Sequence, residues 1–289
     1  MNALRHLVSC GWAGVLLACG CAFAQQRVEV PSLDAPDGHA VALAGYWFAA
    51  DAPGRRPAVL LLHGCGGAYD ARGQLGTRMR EYARLLNAQG WHALVLDSLT
   101  PRGERELCTQ RIGSRAVTLT QRRRDTLGAL QWLAARNDVD ASRLALLGWS
   151  NGGSTVLAST SLRQREVQDQ PLKPRAAVAF YPGCKTEAER GYRPEAPLLI
   201  LIGASDDWTP AEPCRRLAAD AADVPGQPPV QIEVYPEAYH DFDGHAPVRV
   251  RHDVPNGEHP GEGVHVGSNP AAREASRQRL LDFLREQLK

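Results

Sequence analysis

Six short apolar runs, spread along the whole chain and separated by stretches of helical periodicity, constrain this sequence more than any other feature. They lie near Val59, Ala93, Leu144, Ala176, Leu198 and Val230. Several are apolar at every position, as in Val59-Leu60-Leu61-Leu62 and Leu198-Leu199-Ile200-Leu201-Ile202. A strand with one wet face alternates apolar and polar residues, whereas a run apolar throughout must be covered on both faces. Between the first two runs, Leu75 to Gln89 sets Met79, Tyr82, Ala83, Leu85 and Leu86 on one stripe and stops at Gly90. Arg122-Arg123-Arg124 opens a second helix, with Leu127, Leu130 and Leu133 inward and the arginines read as a solvated start. Ala211 to Ala222 and Ala271 to Leu288 read as further helices. This alternation predicts an α/β protein with a mostly parallel central sheet and helices on both faces. A chain of 289 residues with 44% apolar content can bury one large core, and no linker interrupts it, so residues 25–289 read as a single domain.

The first 24 residues read as an export signal. Arg5 supplies a short positive region, Leu7 to Cys19 is apolar and small, and Ala22-Phe23-Ala24 fits a cleavage site before Gln25. A competing box, Leu16-Leu17-Ala18-Cys19, would leave a lipid anchor on Cys19; Leu17 matches it poorly, and cleavage after Ala24 is preferred. This points to a periplasmic or secreted protein, with a lipoprotein as the alternative. No other segment is long enough to span a bilayer. Basic residues number 33 and acidic ones 32, and Arg5 is one of the positives, so the rest of the chain is neutral. That balance carries no footprint for nucleic acid or an anionic membrane.

Cys10, Cys19 and Cys21 fall in the signal, leaving Cys65, Cys108, Cys184 and Cys214. An even set in an exported chain suggests disulfides, with three pairings open and four buried thiols as the alternative. If the strands preceding each pair are neighbours, Cys65–Cys108 and Cys184–Cys214 are the short links. No Cys-x-x-Cys spacing suggests a metal. His245, His252, His259 and His265 lie in a long stretch without periodicity, from Asp243 to Pro270, and read as solvated loop histidines. Loops that long inside a compact domain are usually functional or mobile.

Chemistry concentrates at the ends of the runs. Leu144-Ala145-Leu146-Leu147 leads into Gly148-Trp149-Ser150-Asn151-Gly152, and Gly153 to Ala158 continues as a helix. A serine on so tight a strand-to-helix turn needs small neighbours and exposes its hydroxyl, which suits a nucleophile. Such a hydroxyl needs a base in hydrogen-bond reach and a group that orients that base. His240 is the candidate base. Asp206 is the orienting carboxylate, chosen over Asp207 for lying nearer its strand end. The order Ser150, Asp206, His240 is that of the α/β-hydrolase arrangement. His63-Gly64-Cys65-Gly66-Gly67 frees the backbone to offer N–H groups, so the amides of Cys65 and Asn151 form the expected oxyanion hole. Arg102, Trp149 and Trp208 are candidates for a substrate pocket, with core packing the alternative for the tryptophans and a pairing with Asp97 the alternative for Arg102.

On these residues the chain resembles the dienelactone hydrolase family of the α/β-hydrolase superfamily. The resemblance runs from Leu60-Leu61-Leu62-His63-Gly64 through Gly148-Trp149-Ser150-Asn151-Gly152-Gly153 and Asp206 to His240-Asp241-Phe242. It implies a sheet without a large cap domain, no cofactor, and hydrolysis of esters or lactones. It also implies that the strands bearing Cys65 and Cys108 are neighbours, as are those bearing Cys184 and Cys214, which supports that pairing. Founding members use a cysteine where this chain has Ser150, a glutamate-bearing loop where it has His63-Gly64-Cys65-Gly66, and an arginine near the position of Gly244. The departures point to a serine esterase acting on a small ester or lactone rather than a dienelactone-specific enzyme. The same triad serving an amidase or acyltransferase, and a binding protein that kept the fold without catalysis, are the alternatives.

Overall fold

The computed structural model describes residues 25–289; the export and lipidation segments read from residues 1–24 lie outside them. Eight strands form one sheet: β1 (Gln25–Pro31), β2 (Ala42–Phe48), β3 (Arg56–Leu62), β4 (His92–Asp97), β5 (Val139–Trp149), β6 (Ala176–Phe180), β7 (Leu198–Gly203) and β8 (Val230–Tyr235). Their order is β1-β2-β4-β3-β5-β6-β7-β8. The six expected runs are β3 to β8, all parallel. Strands β1 and β2 are additional and antiparallel. Strand β1 is largely exposed and mostly polar, whereas β2 is apolar from Ala42 to Phe48 with alternate residues only partly covered in its first half.

Among the described residues seven α-helices accompany the sheet: α1 (Thr77–Asn87), α2 (Leu119–Ala134), α3 (Asn151–Ser159), α4 (Arg165–Gln168), α5 (Lys185–Glu189), α6 (Ala211–Ala222) and α7 (Pro270–Gln287). Direction of travel reverses at β3: the chain steps one way to β4, then back past β3 to β5. Right-handed crossovers therefore place α1 and α2 on opposite faces. Helix α7 meets α1, where Arg277 donates to Glu81 at 2.7 Å, while α2 packs against α3. Strands β3 to β7 are buried almost throughout, and Leu60, Leu146, Val178 and Ile200 lie at the centre of the core.

The start of α2 differs from expectation. Arg122 and Arg123 are buried rather than solvated, because both have partners inside the protein. Arg123 and Arg124 share the Glu166 carboxylate, and Arg122 reaches behind the ends of β3 and β5. The stretch from 243 to 270 also holds more order than its sequence suggests. It contains β9 (Arg249–Arg251) and β10 (Val264–Val266), an antiparallel pair. Residues 266 and 267 pair with His240, whose carbonyl accepts from Gly267 N–H at 2.9 Å.

Candidate active site

Leu62 of β3 lies opposite Gly148 of β5, so the loops leaving these two strands emerge side by side at the carboxyl edge of the sheet. This is the position where the strand order reverses and open α/β sheets offer a crevice. Ser150 joins β5 to α3 with φ 52° and ψ −116°, a conformation that a non-glycine residue adopts at a cost. Glycines make the turn feasible. A Cβ on Gly152 would lie 2.0 Å from the Leu62 carbonyl oxygen, and one on Gly148 would lie 2.3 Å from that of Gly152.

The turn aims the Ser150 hydroxyl at His240, with Oγ 2.9 Å from Nε2. On the other side of the ring, Nδ1 lies 2.8 Å from Asp206 Oδ2. Asp206 is itself fixed: Oδ1 accepts from the amides of Trp208 (3.0 Å) and Thr209 (2.8 Å), and Oδ2 accepts from the Thr209 hydroxyl (3.0 Å). Asp206 is 4% exposed and His240 3%. A carboxylate held this way favours the Nδ1–H tautomer, which leaves Nε2 free to accept the serine proton. The rings of Tyr181 and Trp208 flank the imidazole, at 4.6 and 4.7 Å.

Asp243, which the sequence did not single out, ties the histidine loop to the serine turn. Its carboxylate accepts from Tyr181 Oη (2.6 Å), Tyr82 Oη (2.8 Å) and Trp149 Nε1 (3.0 Å). Burial, reinforced by this carboxylate, pushes both phenols well above their usual range, so they remain donors. Its place three residues beyond His240 was the one available signal.

Among the backbone bonds of the described residues, neither the Asn151 nor the Cys65 amide is committed to an acceptor. Asn151 is the first residue of α3, where the unpaired N–H groups and the helix dipole favour a developing negative charge. The Cys65 loop is pinned twice: its carbonyl accepts from Leu107 N–H at 2.7 Å, and its sulfur is bonded to Cys108. The second disulfide joins Cys184 to Cys214, linking the start of α5 to α6. These are the pairings the neighbouring strands favoured.

A cleft of about 470 Å³ opens over Ser150 and His240. Trp208 walls it, with the Arg251 guanidinium 5.4 Å from its ring centre. Trp149 borders the cleft yet is 1% exposed, and its indole N–H is spent on Asp243. Arg102 is not at the cleft. Its guanidinium binds both oxygens of Asp125 (2.7 and 2.9 Å) and Asp34 (2.9 Å), while Asp97 instead accepts from the amides of Leu99 and Thr100. A buried carboxylate on α2 outcompetes the sequence neighbour because Asp97 turns back on its own loop. Among the described residues, no group of three or more His, Cys, Asp or Glu side chains is placed to hold a metal ion, and no helix is long and apolar enough to cross a membrane.

The sequence profile of the dienelactone hydrolase family matches residues 43–288. Uncharacterized proteins from two strains of Mycobacterium tuberculosis are 29% identical over 198 residues. The match covers 63% of this chain and 63% of each relative, so the chain spans less than two thirds of their length. A dienelactone hydrolase-like promiscuous phosphotriesterase from metagenomic libraries has 21% identity and a TM-score of 0.62, covering 92% of this chain and 100% of its own. Thermogutta terrifontis esterase 2 with propionate bound has 18% identity and a TM-score of 0.60, covering 89% of this chain and 93% of its own. At these identities the structural likeness is one of fold, and the fold is that of the α/β-hydrolases.

Proposed function

The chain belongs to the dienelactone hydrolase family, and from that premise we propose that it is a serine hydrolase cleaving a small carboxylic ester or lactone through an acyl-enzyme. The observation that carries this reading is the continuous run of contacts from Ser150 Oγ to His240 Nε2 (2.9 Å) and from His240 Nδ1 to Asp206 (2.8 Å). Ser150 Oγ attacks the carbonyl carbon as Nε2 takes its proton, and Asp206 stabilises the imidazolium. The amides of Asn151 and Cys65 bind the oxyanion, each donor contributing about 3 kcal/mol of transition-state stabilisation. Collapse of the tetrahedral intermediate expels the alcohol, which leaves with the proton from Nε2. Water, activated by the same nitrogen, then releases the acid.

Two features bear on the substrate and on where the protein acts. Arg78 lines the cleft but is held by Asp241 and Asp243. Its charge is therefore largely answered within the protein, which leaves Arg249 as the cleft-lining arginine without an ion pair among the described residues. The two disulfides support a periplasmic or extracellular location, since such bonds persist in oxidising compartments.

A fluorophosphonate probe and p-nitrophenyl acetate test the reading together. The folded protein should be labelled at Ser150 and turn over the ester, and Ser150→Ala should do neither. A folded wild-type protein inert to the probe and to a panel of short-chain esters and lactones removes the reading.

A further inference from the structure

We propose that Arg122 is a positioning residue for the oxyanion hole, one buried guanidinium bracing the backbone that carries both of its donors. This rests on the esterase reading above. Nη2 donates to the His63 carbonyl oxygen at 2.7 Å, and Nη1 donates to the Asn151 side-chain oxygen. Arg122 thus grips the loop that presents the Cys65 amide with one nitrogen and the residue that presents the other amide with its neighbour.

The placement is costly for the fold alone. Arg122 is 1% exposed, its Nε has no partner, and among the described residues no carboxylate lies within ion-pair distance of it. Asp125, one turn along α2, is taken by Arg102 through both oxygens. A buried, unpaired cation costs several kcal/mol, and a cation in the first turn of a helix also opposes the helix dipole. An apolar side chain at this position would avoid both penalties. Burial lowers the guanidinium pKa only to about 10, so the charge persists near neutral pH.

His63 extends the brace. Burial first, and the Arg122 charge second, hold its imidazole down at about 4, hence neutral. Nε2 then accepts from Ser98 N–H at 3.3 Å, which leaves Nδ1–H to donate to the Gly64 carbonyl at 2.7 Å. That carbonyl belongs to the same peptide unit as the Cys65 N–H. Fixing and polarising its oxygen orients the N–H toward the cleft and strengthens it as a donor.

Steady-state kinetics on p-nitrophenyl acetate test the proposal. Asn151→Ala keeps the backbone donor and removes only its anchor; kcat should fall about tenfold with KM little changed, the signature of a contact felt in the transition state. Arg122→Ala should lose about a hundredfold in kcat, the scale of one oxyanion donor. Guanidinium ion at non-denaturing concentration should restore much of that loss, and potassium at equal ionic strength should not. Combined with Asn151→Ala, the losses should be less than additive. Should Arg122→Ala fail to fold, Arg122→Lys keeps a charge without the two-pronged grip and should still lose about tenfold in kcat. Asn151→Ala and Arg122→Lys at wild-type kcat in an active enzyme would overturn the role of Arg122 alone. Loss confined to KM, or an Arg122→Ala defect that guanidinium does not rescue, overturns it as well. A wild-type protein without ester turnover takes the esterase reading down, and this proposal with it.

Discussion

Asp207 is hydrogen-bonded to His265, Oδ2 to Nδ1 at 2.7 Å, while its chain neighbour Asp206 faces His240. Asp207 also accepts from the His265 amide at 2.8 Å, and Tyr239 stacks on the His265 ring. Two adjacent carboxylates therefore hold two different histidines, one under the serine and one on β10.

That division predicts opposite outcomes for the same chemical change. Asp206→Asn should lower kcat about a thousandfold or more, because the amide no longer holds the working tautomer. Asp207→Asn should loosen the β9–β10 pair and cost less than about tenfold in kcat, since it touches the reacting groups only through the loop. Ester kinetics on both variants decide; a larger loss for Asp207→Asn reverses the assignment.

Gly152→Ala should abolish the native fold or cost several kcal/mol, because its methyl would meet the Leu62 carbonyl 2.0 Å away in the tightest part of the turn. Urea denaturation and soluble yield read this directly. A stable, active Gly152→Ala protein would show that the β3–β5 contact has room for a methyl group.

The two disulfides should separate stability from activity. Each closes a loop whose crosslink contributes about 4 kcal/mol in the chain-entropy picture, the partners lying 43 and 30 positions apart in the sequence. Removing either pair should lower the melting temperature. Only loss of Cys65–Cys108 should lower kcat at temperatures where the protein stays folded, since Cys65 carries one of the two amides proposed to bind the oxyanion. Equal kcat in both double-serine variants would detach that bridge from the site.

Acid should weaken the fold through His63. Its folded pKa, about 4, lies below the ordinary 6.5 because burial and Arg122 disfavour the cation. The unfolded chain thus binds the extra proton between those values, so stability is fully present above pH 6.5 and is lost as pH falls toward 4. The slope approaches about 1.4 kcal/mol per pH unit within that window. Urea midpoints for wild type and His63→Gln across pH 7 to 4 should diverge by this slope; parallel curves would assign the titration elsewhere.

Much of the architecture is legible in the chain because it is written locally. Strands β3, β4, β6 and β7 and the second half of β5 hold continuous apolar runs, β8 alternates apolar and polar residues, and α6 follows its stripe from Ala211 to Ala222. The Gly148 to Gly152 turn is readable for the same reason, since its small residues answer to a backbone reversal within five positions. Strand β1 escapes local pattern because a largely exposed edge strand needs few apolar residues, whereas β2 carries an apolar run, Ala42 to Phe48, whose alternating burial and antiparallel placement depend on β1 and β4 beside it. The order within residues 243–270 escaped because it depends on two three-residue strands pairing with each other and on a bridge from Val266 to His240, rather than on periodicity.

The amino-acid sequence by itself determined the layered α/β scaffold, the serine turn, and the set of groups available for nucleophile, base and acid. Nearness to the strand end favours Asp206 over Asp207 in the sequence, and the tertiary structure adds why the neighbours differ: the loop turns Asp206 toward His240 and Asp207 toward His265. Tertiary structure alone withdrew Arg102 from the cleft and buried Arg122, whose partners His63 and Asn151 lie 59 and 29 positions away. A charged side chain is solvated by default. Only neighbours brought from distant parts of the chain can replace that water, and local sequence does not name them.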